Sequence, residues 1–153
     1  MNKHTKHQLI LKGSYNLDIR SSEIYISGLI TGIQDLNRPA FNNIATQLKE
    51  KGYIPINPLD IFTEEEQKLL TWDMAMRTDI KHLLPCGACV MLPGWQGSTG
   101  AIFEFITSKT LNIPVVNLDF DLLYVTNHDL RQLFEKIITK IDETDFKQMS
   151  FKN

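Results

Sequence analysis

The chain has 153 residues, the length of one ordinary domain, and a domain of that size buries roughly 70% of the surface its unfolded chain exposes. Apolar residues at 42% and charged residues at 22% match globular averages, which excludes extensive disorder. Sixteen Lys+Arg against eighteen Asp+Glu leave a net charge of -2, so there is no broad basic footprint for a nucleic acid polymer, and no apolar run reaches the length of a membrane span.

The N-terminus, Met1-Asn2-Lys3-His4-Thr5-Lys6-His7, is polar and lacks the apolar core of a signal peptide, which points to a cytoplasmic chain. Residues 1–22 hold one short apolar run, Leu9-Ile10-Leu11, and read as a tail or an added edge segment. The first clear strand is Glu23-Ile24-Tyr25-Ile26-Ser27, ended by Gly28. Leu36, Ala40, Phe41, Ile44, Ala45 and Leu48 then recur at helical spacing, with Asp35 or Asn37 as a cap, Pro39 in the first turn and Gly52 as the stop. The second strand, Tyr53-Ile54-Pro55-Ile56-Asn57, contains a proline that cannot donate to a ladder, so it belongs at a sheet edge.

Thr63-Glu64-Glu65-Glu66 has the form of a capping box opening a helix. Thr71 starts a further helix, with Trp72, Met76, Ile80 and Leu83 or Leu84 on its apolar side. The third strand is Ala88-Cys89-Val90-Met91-Leu92, ended by Pro93-Gly94; Ser98 then caps a helix through Leu111 with Ile102, Phe105 and Ile106 facing inward. Ile113-Pro114-Val115-Val116-Asn117-Leu118 is the fourth strand, Leu122-Leu123-Tyr124-Val125 a candidate fifth, and a last helix spans residues 127–142 with Leu130, Leu133, Phe134, Ile137, Ile138 and Ile141 as its stripe. Strands alternating with helices give an α/β fold on a parallel sheet, whose ligands bind outside the carboxyl ends of the strands.

The two cysteines, Cys86 and Cys89, form a C-x-x-C that enters a strand instead of leading from a strand into a helix, the reverse of a redox pair. No second Cys/His pair has zinc spacing, and the four histidines have no spaced partners, so the thiols read as buried and structural, with no metal. The chemistry concentrates in Pro93-Gly94-Trp95-Gln96-Gly97-Ser98-Thr99-Gly100-Ala101-Ile102-Phe103-Glu104. Gly94, Gly97 and Gly100 let backbone approach a ligand, and free N–H groups at the helix start favour a phosphate or carboxylate. Glu104 shares a face with Gly100 and Ala101 and leans toward the helix N-terminus, where the dipole should keep it ionised as a nucleophile requires. The bland alternative is a solvated helix glutamate. Asp79 is a candidate acid, or else a surface partner of Arg77; Tyr25 is a packing residue or an orienting hydroxyl.

Tyr25-Ile26-Ser27-Gly28-Leu29-Ile30-Thr31-Gly32, Asp79 and Gly97-Ser98-Thr99-Gly100-Ala101-Ile102-Phe103-Glu104 resemble the nucleoside 2-deoxyribosyltransferase superfamily, in particular its DUF4406 branch, and are similar to the 2'-deoxynucleoside 5'-phosphate N-hydrolases. The resemblance spans about residues 23–118. It implies a flavodoxin-like open sheet of four to five mostly parallel strands with helices on both faces, and commonly a homodimer or larger assembly. Residues 23–143 are then read as the deoxyribosyltransferase-like domain, and the last ten residues, 144–153, read as a loose tail. The resemblance makes Glu104 the nucleophile at C1' of the sugar, Tyr25 the hydroxyl bonded to that carboxylate and Asp79 the residue assisting departure of the base. Gly28, Trp95, Gly97, Ser98 and Gly100 would bind substrate, and no cofactor is implied. Ser98 stands where transferases acting on free nucleosides often carry an aspartate, which favours a 5'-monophosphate. Thr31, Leu29 and Gly87 depart from the pattern: the first two remove likely phosphate contacts, and Gly87 stands where an aspartate often precedes the third strand.

Two other readings compete. The cytokinin-activating phosphoribohydrolases have a P-G-G-x-G-T-x-x-E signature, and here Pro93-Gly94 fits while Trp95 and the later Glu104 break the spacing. A non-catalytic nucleotide sensor or interaction protein would keep the same fold and pocket without turnover.

Overall fold

The structure, a computed structural model, describes the backbone of residues 7–150 and the side chains of residues 7–146; the polar N-terminal residues 1–6 and residues 151–153 lie outside the described residues. The chain opens with an antiparallel hairpin of β1 (His7–Ile10) and β2 (Asn16–Ile19), turned through Gly13 and Ser14 at positive φ. There follow β3 (Glu23–Ser27), α1 (Arg38–Glu50), β4 (Ile54–Ile56), α2 (Glu64–Leu69), α3 (Trp72–Leu83), β5 (Ala88–Met91), α4 (Thr99–Thr110), β6 (Val115–Val116) and α5 (Asn127–Ser150). Strands β3 to β6 form one parallel sheet in the order β4-β3-β5-β6, the flavodoxin-like 2-1-3-4 pattern. Its order reverses between β3 and β5, so the crevice at their carboxyl ends is the switch point where ligands of such sheets bind.

The pleat sorts the sheet into two chemically different faces. Ile24 and Ile26 of β3, Ala88 and Val90 of β5 and Val116 of β6 share one apolar cluster with Phe41, Ile44 and Leu48 of α1 and with Leu9 and Ile19 of the hairpin. Tyr25 and Ser27 of β3, with Cys89 and Met91 of β5, alternate to the opposite face, where α4 packs on the sheet and α3 packs on α4. The hairpin therefore does not extend the parallel sheet, as an edge segment would. It is a separate two-stranded sheet that helps to cover the apolar face, held there by fully buried Leu9. The hydroxyl of Tyr53 donates to Gln8 O and accepts from Ile10 N, which ties β1 down.

Local chemistry explains most boundaries. Pro55 lies in the edge strand β4, where its missing N–H disturbs no second ladder. Thr63 and Glu66 close both arms of the capping box. The start of α1 differs from expectation. Asp35, Leu36 and Asn37 all sit at positive φ, and Asn37 occupies the cap position without capping. Its left-handed backbone turns the side chain back, so Nδ2 donates to Leu29 O at 2.9 Å. The candidate fifth strand does not form beyond a single antiparallel bridge, Val116 to Leu122. Asn117 Oδ1 accepts from the N–H groups of Asp119 and Asp121, and this tight turn reverses the chain so that it cannot continue a parallel ladder.

The chain forms two compact units, one ending at Leu123 and one beginning at Tyr124. In the second, α5 continues to Ser150, through the segment read from the sequence as a loose tail. Its expected stripe divides: Leu133 is buried, while Phe134, Ile138 and Ile141 are about half exposed.

Candidate active site

The site assembles on the polar-bearing face where β3 ends. After β5 the chain turns through Gly94, at φ 83, makes one 3-10 turn over Trp95–Gly97 and enters α4 at Ser98, whose Oγ accepts from Ala101 N at 3.1 Å. The cap expected at Ser98 is thus present, and the hydroxyl hydrogen remains available to a ligand. Trp95 is buried and stacks on Phe105 at 4.7 Å between ring centroids, so most of the ring serves the core. An open cavity of about 310 Å³ lies beyond the carboxyl ends of β5 and β6, between the loop carrying Gly94 and Trp95 and the turn at Asn117 and Asp119.

Two of the glycines expected to face a ligand are closed off by neighbouring side chains. A Cβ at Gly28 would lie 2.8 Å from Leu92 Cβ, and one at Gly100 would lie 3.0 Å from Met76 Sδ. Gly100 thus lets α3 approach α4 closely. At Gly97 the nearest atom would be 3.9 Å away and at Gly94 none lies within 4 Å, so those two positions are open.

Glu104 projects toward β3 and is 5% exposed. Ser27 Oγ donates to its Oε1 at 2.9 Å, and Ser27 is itself fully buried. The Tyr25 hydroxyl lies near enough to draw the Glu104 pKa down, yet neither that hydroxyl nor Glu104 Oε2 has a well-formed hydrogen bond among the described residues. Burial pushes the Glu104 carboxyl up to about 8, and the nearby Asp79 carboxylate pushes in the same direction; Tyr25 and Ser27 only partly offset them. This corrects the expectation that the helix dipole keeps Glu104 ionised. The dipole acts within the first turn, and Glu104 lies beyond it under a far larger desolvation.

Asp79 is half-buried on α3, and burial lifts it to about 6 against a lowering by His82. It makes no ion pair with Arg77 among the described residues. Its charge is felt at both Glu104 and Tyr25, and burial with these two acids drives the Tyr25 hydroxyl well above its ordinary pKa. The structure therefore gathers Tyr25, Asp79 and Glu104, places Ser98 at the start of the helix that carries Glu104, and adds Ser27, which the sequence reading left without a role. Its signal was available: Ser27 is two residues after Tyr25 and so on the same strand face. Cys86 and Cys89 are free and buried, with both thiols pushed up by burial; Cys86 Sγ donates to His82 O. Among the described residues no three His, Cys, Asp or Glu side chains gather as a metal site.

The raised carboxyl makes stability pH-dependent. A group whose folded pKa exceeds its unfolded value of 4.5 holds its proton more tightly when folded, so its contribution is complete below 4.5 and is lost as the pH rises toward 8. Wild type should lose stability relative to Glu104→Gln across that window, by about 1.4 kcal/mol for each pH unit. Chemical denaturation of both proteins at pH 5 and pH 8 checks this, and a constant difference would show that Glu104 is not buried as a neutral acid.

A parallel α/β domain of flavodoxin-like order, with a carboxylate buried at its switch point, defines the class of protein. The chain belongs to the DUF4406 family, a domain of unknown function, whose model matches residues 22–117, from β3 through β6. No curated protein matches the sequence.

Proposed function

We propose that the protein cleaves, or transfers across, the N-glycosidic bond of a nucleoside or nucleoside 5'-monophosphate, with Glu104 as nucleophile. The observation that carries this reading is the unfinished hydrogen bonding around Glu104: Oε2 and the Tyr25 hydroxyl are buried at the switch point with no well-formed hydrogen bond among the described residues. Native proteins rarely leave such groups unsatisfied, and functional sites are where the exceptions collect. The likeness of the Tyr25 and Glu104 segments to the nucleoside 2-deoxyribosyltransferases supports the same assignment.

The two acids suit a retaining displacement. With one carboxyl near 6 and the other near 8, the pair holds about one proton at pH 7. The productive arrangement places that proton on Asp79 and the charge on Glu104. Tyr25 beside Glu104 draws that carboxyl's pKa down, which favours this arrangement. Glu104 then attacks C1', the C1'–N bond breaks, and Asp79 delivers its proton to the departing base. Water, or a second base in a transfer, attacks C1' of the glycosyl ester, gives its proton to Asp79 and restores the Glu104 carboxylate. Ser98, with the unpaired first-turn N–H groups of α4, would receive a 5'-phosphate. The same reading carries a homo-oligomer.

The test is base release from a panel of 2'-deoxynucleosides and their 5'-monophosphates. Monophosphates should be preferred, and Ser98→Asp should lower their kcat/KM by about tenfold or more while sparing free nucleosides, because a fixed charge then faces the phosphate. Aspartate caps a helix as well as serine does, so α4 should persist. Equal effects on both substrate classes would remove Ser98 from the phosphate site. Binding of nucleotides without release of any base would replace this reading with that of a nucleotide sensor.

A further inference from the structure

We propose that Ser27 is a positioning residue for Glu104, holding the carboxylate plane so that one oxygen stays engaged and the other is presented for reaction. The inference rests on the reading of Glu104 as nucleophile and adds a residue to which that reading gives no role. Ser27 is fully buried, and its Oγ donates to Oε1 at 2.9 Å. The partner comes from α4, 77 positions along the chain, so the contact is tertiary and not a local turn. Among the described residues the opposite oxygen, Oε2, has no well-formed hydrogen bond, and neither does the hydroxyl of Tyr25 two residues before Ser27 on the same strand face. A carboxylate has two equivalent oxygens, and rotation about its terminal bond exchanges them freely unless one is held. Ser27 supplies that hold from the end of β3, where it pairs with Met91 of β5. A donor fixed in this way also favours the ionised form, which is the form that attacks.

The groups facing Glu104 are Tyr25 from β3, Cys89 from β5 and Asp79 from α3, with His82 acting on Asp79. Tyr25 and Cys89 are both held neutral by burial. Loss of the Ser27 hydroxyl therefore removes a stabiliser of the Glu104 charge and leaves the opposing Asp79 charge in place. The Glu104 titration must move upward.

The experiment compares wild type, Ser27→Ala and Ser27→Cys. Cysteine roughly keeps the volume but is a weak donor, so it separates packing from hydrogen bonding. Both variants should lose about tenfold or more in kcat with KM nearly unchanged, and the acid limb of their pH–rate profiles should move to higher pH. Glu104 is titrated independently by its carboxyl infrared band, assigned as the band absent from Glu104→Gln, and the protonated band should persist to higher pH in both variants. An unmoved titration in either folded variant overturns the proposal, as does an unchanged kcat alongside an active wild type. If wild type releases no base from any substrate, the nucleophile reading fails, while the infrared titration still decides whether Ser27 governs the state of Glu104.

Discussion

Glu104→Gln is expected to release base at about one-thousandth of the wild-type rate or less, while binding the same nucleotides within a few-fold. The two side chains are nearly the same size, and the amide Oε1 can still accept the hydrogen bond that Ser27 donates at 2.9 Å. The carboxamide also removes an acid whose charged form is strongly disfavoured by burial, so the variant should be at least as stable as wild type at neutral pH. What it cannot supply is the anionic oxygen that the proposed displacement at C1' requires. Base release followed by chromatography and nucleotide binding followed by calorimetry separate the two effects. Undiminished turnover would eliminate Glu104 as nucleophile. Parallel loss of turnover and binding would point to a damaged pocket.

The second large effect is on folding. A Cβ at Gly87 would stand 2.0 Å from the backbone oxygen of Ser21, and backbone cannot swing aside as a side chain can. Gly87 N donates to Glu23 O at 2.8 Å, so this contact registers the start of β5 against the start of β3. Gly87→Ala should destabilise the protein by about 3 kcal/mol or more, a large share of the stability of an ordinary domain. Urea denaturation reads this directly, and a change under about 1 kcal/mol would mean that Ser21 yields easily. The same contact accounts for the absence of an aspartate at this position: with the chain this close to Ser21, no side chain fits at all.

The parallel sheet was legible because β3 and β5 are short, apolar and bounded by Gly or Pro, and Pro55 marked the edge. Tyr25, Asp79 and Glu104 were legible as side chains whose types fit one chemistry. Their protonation was not, since desolvation is a property of the folded surroundings and outweighs the helix dipole that the sequence advertises. Ser27 passed unnoticed because a serine that ends a strand is ordinary until its partner on α4 is known. Glycines carried the most ambiguous message. Gly28 and Gly100 looked like openings for a ligand, and each is instead filled by a neighbour, Leu92 or Met76. The left-handed run at Asp35, Leu36 and Asn37 had no glycine to announce it.

The hairpin sets a limit on what the family's shared region can do by itself. That region, residues 22–117, begins just after β2, yet Leu9 and Ile19 belong to the same apolar cluster as Ile24, Ile26 and Val90. Excised at its own boundaries, it would present to water part of a sheet face that this chain keeps dry, an adhesive surface in a domain with little area to spare. The matched region thus carries the whole parallel sheet of this chain but leaves part of that sheet's closure to the hairpin that precedes it.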